Sequence, residues 1–419
     1  MQRMDQRVDW EKRRKRDVMR VDTAAARDLL DRLGCPDKAL RVVHVAGTKG
    51  KGSTALRIAE GLAAAGRTVG VYSSPHVERV TERVRIGRDE IADEVLAASL
   101  ENALEACEQA CRDKSAAERA SWFDLMTAAG VACLAQAEVE WAVLEVGLGG
   151  RLDSTNAIDG ELAVLTNIDL EHTEILGSTR RAIVQEKAGV LRAGRPVVSG
   201  VAVRPEWGPF EDAGTWLMQH AHQLGCPIVQ VDEEVSIVAT NRALAAAALA
   251  RLGELGENDL QGKPFGGHLL SQGPGWSLPG RLEYFSLDGV PVVLDGAHVG
   301  SSLERVLKDL AGDSRLKGPP ILVLGLAADK AVQSLLKPLV GRVDTLICTS
   351  VVSAHHRPAS DLTAQAEGAG LQALTVTDPR AAVAKASGCA SPGGWVLVTG
   401  SLYLVGAVRA CLAPLDSLP

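Results

Sequence analysis

Short apolar runs alternate along the chain with longer stretches whose apolar residues recur every three or four positions. That alternation predicts parallel strands joined by crossover helices. Residues 41–46 (RVVHVA) read as a strand, 53–65 as a helix with Leu56, Ala59, Leu62 and Ala63 on one side, and 68–72 as the next strand. Helices are expected over 92–111 and 122–137. Residues 141–146 (WAVLEV) and 162–167 (LAVLTN) are apolar almost throughout, as strands covered on both faces are. A helix over 179–191, a strand at 196–199, a helix over 210–224, a strand at 227–231 and a helix over 241–252 complete this half. Composition then changes at 253–277, which holds Gly262, Gly266, Gly267, Gly273, Pro274 and Gly275 and reads as a linker. A second alternation follows, with strands at 290–294, 320–324, 343–348, 371–376 and 395–399. The expected fold class is α/β. It comprises a larger N-terminal domain with a mostly parallel sheet, residues 1–275, and a smaller C-terminal α/β domain, residues 276–419.

A chain of 419 residues with 46% hydrophobic and 23% charged residues suits two or three globular domains, and excludes a disordered or fibrous protein. A formal charge of -7 gives no reason to expect nucleic-acid binding. No apolar run approaches the roughly 18 residues of a membrane span, so no membrane partner is expected. The basic cluster Lys12-Arg13-Arg14-Lys15-Arg16 lacks a following apolar segment and is not a signal peptide. It reads as a solvated segment or as electrostatic help in gathering an anionic substrate. None of the eight cysteines forms a CxxC pair, and all eight read as reduced thiols of a cytoplasmic protein.

The strongest local signal is His44-Val-Ala-Gly-Thr-Lys-Gly-Lys-Gly-Ser-Thr54. A buried strand ends, a Gly-rich turn follows, and a helix begins. Backbone N–H groups at such a helix start can cradle phosphates. Gly47, Thr48, Lys49, Gly50, Lys51, Gly52 and Ser53 form the candidate loop, with Lys51 toward the phosphates and the Ser53 hydroxyl toward Mg²⁺. The spacing departs from GxxxxGK[ST]: Val45 stands where the first glycine belongs, and Gly52 separates Lys51 from Ser53. A purely structural Gly-rich turn is the competing reading. Ser74, Glu145 and His172 lie at or after successive strand ends, where sites in parallel sheets gather. Singly, each reads as a turn serine, a solvated glutamate and a surface histidine; together they are candidate metal ligands. The string after Glu145, Gly147-Leu-Gly-Gly-Arg-Leu-Asp-Ser154, is not the dinucleotide GxGxxG pattern. By composition alone Lys187 is a surface lysine of a helix.

The strings HVAGTKGKGST, YSSPHV, SWFDLMTAA, VLEVGLGGRLDSTN, NIDLEHTEILG, EKAGVL, PGRLE, LDGAH and VTGSLYLVGAVR follow one another in this order. In them the chain resembles the folylpolyglutamate synthase/dihydrofolate synthase family of the Mur ligase superfamily. The resemblance implies an N-terminal P-loop ATPase domain, a C-terminal Rossmann-like ligase domain, and ATP-dependent joining of L-glutamate to a folate carboxylate through an acyl phosphate. It implies ATP and two Mg²⁺ sites, with Ser53, Ser74 and Glu145 toward the first and His172 toward the second. Lys51, His172 and a carbamylated Lys187 would be catalytic. Asn241, Arg281 and Asp295 match residues that hold the nucleotide. Ser121, Trp122, Phe123, Asp124, Leu152, Asp153 and Ser154 match segments that line the folate site, with Trp122 and Phe123 offering flat faces for stacking. His298 and Ser401 match positions implicated in glutamate binding. Small-molecule substrates and a monomer are expected.

Four departures stand out: Lys49 for the usual Asn, Asp124 for the usual Glu, Val299-Gly300 for Asn-Pro, and a shortened segment between Ser199 and Asn241. Another Mur-superfamily amino-acid ligase, such as a muramyl-peptide ligase, is opposed by the pterin-segment strings. A P-loop switch leaves LDGAH and TGSLYLVG without a role. A non-catalytic ATP-binding paralogue is opposed by Lys51, Ser74, Glu145, His172 and Lys187.

Overall fold

β-branched runs flanked by glycine build two sheets. In the computed structural model, which describes Met4, Arg7 and residues 22–271, 275–351 and 356–414, the chain divides into two compact units. Residues 1–76 with 80–276 form the first, and 77–79 with 277–419 the second. The basic cluster at 12–16 lies outside the described residues.

The first unit holds an eight-stranded sheet. Its strands are β1 (Arg41–Ala46), β2 (Val69–Tyr72), β3 (Val84–Ile86), β4 (Asp89–Glu90), β5 (Trp141–Glu145), β6 (Leu162–Leu165), β7 (Val197–Ser199) and β8 (Ile228–Gln230). The order is β4-β3-β2-β5-β1-β6-β7-β8, and all strands from β2 to β8 along that order run parallel. β3 and β4 add antiparallel at the β2 edge. β1 pairs Val45 with Glu145 of β5 and Ala46 with Leu165 of β6, so its C-terminal end sits centrally where connections leave in both directions. Crevices at such reversals are where open α/β sheets bind ligands.

Helices Ala24–Arg32, Asp93–Asp113 and Trp122–Gln136 pack a core around Val42, Tyr72, Ala142 and Leu144. Helices Arg180–Lys187 and Ala213–Gln223 pack a second around Ala46, Leu165 and Val197. Helix Lys51–Ala64 crosses helix Ile237–Glu254 at Gly61, where a Cβ would stand 2.2 Å from Leu249 Cδ1.

The second unit holds β9 (Glu283–Leu287), β10 (Val290–Leu294), β11 (Ile321–Leu324), β12 (Thr345–Cys348), β13 (Ala373–Thr375), β14 (Val396–Thr399) and β15 (Ala413–Pro414). The order is β13-β12-β11-β14-β10-β9-β15, parallel from β13 to β10 and antiparallel at β9 and β15. The fold is therefore α/β with two mostly parallel sheets.

Several boundaries differ from the sequence pattern for local reasons. Helix Lys51–Ala64 starts two residues early because Gly50, at φ 80, turns the chain directly into it. β6 stops at Leu165 because Thr166 and Asn167 turn to bond the loop after β1. The helix expected to start at Asn241 starts at Ile237, where the Ser236 hydroxyl accepts from the Ala239 N–H at 3.0 Å. Helix Ala24–Arg32 and strands β3, β4, β9 and β15 were not marked by periodicity, being short or charged. Within the Gly-rich stretch after helix Ile237–Glu254, Phe265 and Leu270 are buried. Glu257 accepts from Arg41, which also forks onto Glu161 and covers the Trp141 ring at 4.1 Å. The stretch is thereby tied under the starts of β1, β5 and β6.

None of the eight cysteines is paired. Among the described residues no helix is long and apolar enough to cross a membrane.

On β1, His44 is fully buried with Nε2 3.0 Å from the Thr155 carbonyl. A carbonyl only accepts, so Nε2 carries the proton. Burial pushes this imidazole down to about 4. The unfolded state then binds the proton first, and stability present above about pH 6.5 is lost as pH falls toward 4. Denaturant unfolding at pH 7.5 and 5 should show a His44→Gln variant losing about 2 kcal/mol less than the wild type over that interval.

Candidate functional site

The loop after β1 is pinned to the chain leaving β6. The Thr48 N–H donates to Asn167 O at 2.9 Å, and the Lys49 N–H to Asn167 Oδ1 at 2.9 Å. The Lys49 carbonyl accepts from Thr166 Oγ1 at 2.6 Å and Asn167 Nδ2 at 3.1 Å. The Asp169 N–H donates to Thr48 Oγ1 at 3.0 Å. Gly47 permits this approach: a Cβ there would lie 1.9 Å from Thr166 Oγ1. Gly50 permits a second, because its Cβ would lie 2.5 Å from Asn241 Oδ1. Asn241 is buried and accepts from Thr54 Oγ1 at 3.3 Å, so it stands against the loop despite the shortened segment before it. The first-turn N–H groups of helix Lys51–Ala64 have no acceptor within the helix and suit an anion. The Lys51 ammonium lies 3.5 Å from Thr48 O.

Lys187 is not a surface lysine. It is 5% exposed, and its Nζ donates to Gly47 O at 2.8 Å. Burial, reinforced by the Lys51 ammonium, pushes this amine down to about 7. Its helix is held close by the turn after β5. A Cβ on Gly150 would lie 2.6 Å from Lys187 O, and the Arg151 N–H donates to Glu186 O at 2.7 Å. Lys49 points elsewhere, its ammonium 2.7 Å from Glu171 Oε1.

Glu145 closes β5, nearly buried, and its Oε2 accepts from the Ser74 N–H at 3.1 Å. The chain thus brings Glu145 and Ser74 together beside the sheet centre. His172 lies in the loop beyond β6 at φ 52, with Nδ1 4.0 Å from a Glu174 oxygen. Among the described residues no three His, Cys, Asp or Glu side chains converge as a ready-made metal cage. A carboxylate at the end of β5, whose partner strand β1 leads into the Gly-rich loop, is the kind of oxygen donor that Mg²⁺ takes when it shares phosphate oxygens.

Ser121, Asp124 and Ser154 form one buried network. Asp124 Oδ2 accepts from Ser121 N at 2.9 Å and Ser121 Oγ at 2.6 Å, while Oδ1 accepts from Ser154 Oγ at 2.6 Å. Ser121 and Asp124 are also the reciprocal N-cap of helix Trp122–Gln136. Asp153 accepts from Thr155 Oγ1 at 2.6 Å and the Leu148 N–H at 2.9 Å, and burial holds its carboxyl above the usual range. Leu152 precedes it in the same turn. The expectation of two open stacking faces is not met. Trp122 is 3% exposed under the Arg83 guanidinium, 4.8 Å above its ring, and Phe123 is 8% exposed between Tyr72 and Gly147.

Arg281, Asp295, His298 and Ser401 belong to the second unit. Asp295 follows β10 and accepts from the Leu282 N–H at 3.1 Å and the Ala297 N–H at 2.8 Å. Arg281 Nη1 donates to Gly280 O at 3.1 Å. His298 Nδ1 lies 2.9 Å from Gly296 O. Ser401 caps helix Leu402–Arg409 and lies 3.3 Å from His356 Nε2. His356, Thr166, Asn167 and Glu171 escaped the sequence reading. The last three lie in or beside LAVLTNIDLEH, whose tail carried the only signal.

Residues 280–402 match the family model "Mur ligase, glutamate ligase domain". The folylpolyglutamate synthase of Lacticaseibacillus casei is 32% identical over 411 residues, covering 92% of each chain. A structure of Escherichia coli FolC in complex with DHPP and ADP superposes with a TM-score of 0.78 at 27% identity, covering 94% of this chain and 93% of that one. A bifunctional folylpolyglutamate synthase/dihydrofolate synthase with Mn, AMPPNP and L-glutamate bound gives 0.77 at 28% identity, covering 94% of both.

The Lys187 amine titrates at about 7 when folded against 10.5 for the free side chain. The unfolded state therefore binds the extra proton between these values, and stability rises with pH across that window. In CO₂-free buffer, Lys187→Met should be more stable than wild type by roughly 2–4 kcal/mol at pH 7. The gap should close as pH approaches 10.5. Urea unfolding at pH 7 and 9.5 measures it.

Proposed function

Because the chain belongs to the folylpolyglutamate synthase/dihydrofolate synthase family, we propose that it is an ATP-dependent ligase that joins L-glutamate to a folate carboxylate. A carboxylate is a poor electrophile. Transfer of the γ-phosphoryl group to its oxygen gives an acyl phosphate, and attack by the glutamate amine then expels phosphate. The protein's share is positioning and charge neutralisation.

The observation that carries this reading is the Lys187 amine, 2.8 Å from the Gly47 carbonyl at the mouth of an anion-ready helix start. Gly50, Lys51, Gly52 and Ser53 would hold the nucleotide phosphates, with Asn241 bracing the loop behind Gly50. Glu145, Ser74 and Ser53 would hold one Mg²⁺ and His172 a second, and a cation bound there would supply charge neutralisation of the phosphates. Arg281 and Asp295 are the proposed nucleotide contacts of the second unit, and His298 and Ser401 its glutamate contacts. Ser121, Asp124, Leu152, Asp153 and Ser154 are proposed to line the folate site, with Trp122 and Phe123 forming its packed wall. An amine at about 7 is substantially neutral at physiological pH. It can therefore add to CO₂, forming a carbamate and releasing a proton. That exchanges a repelled ammonium for an anion suited to cations and phosphates. The enzyme acts on small-molecule substrates, and we take it to be a cytoplasmic monomer.

ADP release by the purified protein, with dihydropteroate plus glutamate, tetrahydrofolate plus glutamate, or no acceptor, tests the activity. Release independent of every acceptor would reject it. Lys51→Ala should fold normally and lose at least about 100-fold in turnover. Lys187→Ala should be comparably inactive, and short carboxylic acids should restore part of its turnover by standing in for the carbamate. Absence of rescue across formate, acetate and propionate would argue against the carbamate.

A further inference from the structure

Three lysines surround one loop. Lys51 opens its helix, Lys187 reaches the Gly47 carbonyl, and Lys49 is held by Glu171 at 2.7 Å. The Lys49 backbone has no freedom to follow its side chain. Its N–H is bound to Asn167 Oδ1 and its carbonyl to Thr166 Oγ1 and Asn167 Nδ2. The Thr48 and Lys49 N–H groups are thereby turned toward the chain after β6, which leaves the donors at the helix start to face an anion. The Lys49–Glu171 pair is partly buried, with side chains 32% and 14% exposed, so water screens it incompletely.

We propose that Glu171 is a positioning residue that acts through Lys49: it keeps the Lys49 ammonium out of the phosphate cradle, so that nucleotide is bound tightly enough to react and loosely enough to leave. The proposal rests on the nucleotide-binding reading of this loop. Neutralising Glu171 makes the net charge beside the phosphates more positive while the pinned backbone keeps the loop intact, and neutralising Lys49 makes it more negative. The two changes should therefore act in opposite directions, and together they should cancel.

The test is ADP affinity by titration calorimetry at low ionic strength, with Glu171→Gln, Lys49→Met and the double variant, alongside steady-state turnover. Glu171→Gln should bind ADP about 3–10-fold more tightly and lower kcat with little rise in the KM for ATP. Lys49→Met should bind ADP about 3–10-fold more weakly, and the double variant should return to within about twofold of wild type. Both single-variant differences should shrink in 0.5 M salt, about the range where the Debye length falls below 5 Å. Weaker binding in both single variants with an additive double variant, or no change in any, overturns the proposal. If Glu171→Gln does not fold, Lys49→Met and the double variant decide alone: restored affinity supports the pair, and unrestored affinity overturns it. Failure of the wild-type protein to bind ADP would instead overturn the nucleotide-binding reading itself.

Discussion

The structure around the loop depends on one electrostatic constraint: positive charge must be concentrated there, yet must not fold against itself. Two like charges about 4 Å apart cost several kcal/mol at an effective dielectric near 20. The chain meets the constraint in three ways. Lys51 stays at a helix start with solvent access, Lys49 is neutralised by Glu171, and Lys187 is buried until its amine readily gives up its proton. Each solution depends on a different element, so β1, β6 and helix Arg180–Lys187 must all be placed within a few ångströms of one another.

Glycine supplies that placement. Gly47 admits Thr166, Gly50 admits Asn241, and Gly150 admits the backbone of Lys187. A methyl group at any of them would enter space already filled by oxygen or backbone atoms. The Gly-rich strings after β1 and β5 therefore have a common physical origin. One brings the loop to its braces, and the other brings a lysine-bearing helix to the loop.

This explains which parts of the molecule were legible in the sequence. Long apolar strands, the Gly-rich loop and the order of motifs report close packing directly, and the two mostly parallel sheets follow from them. Side-chain partnerships leave no such trace. Glu171 draws no notice in the sequence, because nothing in one dimension shows that Lys49 turns toward it. Ser121-Trp122-Phe123-Asp124 has two meanings at once. Its serine and aspartate cap a helix, and its rings fill a wall beneath Arg83 and beside Tyr72 rather than standing open. Asn241 was legible only as a matched letter. The reason for it is the missing side chain of Gly50, about 190 residues earlier in sequence and 2.5 Å away from where a Cβ would be.

The buried carboxylates beside the turn after β5 follow the same logic with the sign reversed. Asp124 and Asp153 are adjacent acids in a poorly hydrated region, and each is tolerated because hydroxyls and backbone N–H groups are aimed at it. Asp153 still pays for burial with a raised proton affinity. All of its hydrogen bonds within the turn are accepted ones, from the Leu148 and Thr155 N–H groups and the Thr155 hydroxyl. The lysine-ringed loop and the acidic turn are thus two oppositely charged clusters on the same unit. The lysines of the first gather around a Gly-rich loop, and the carboxyls of the second are buried among hydroxyls and backbone N–H groups.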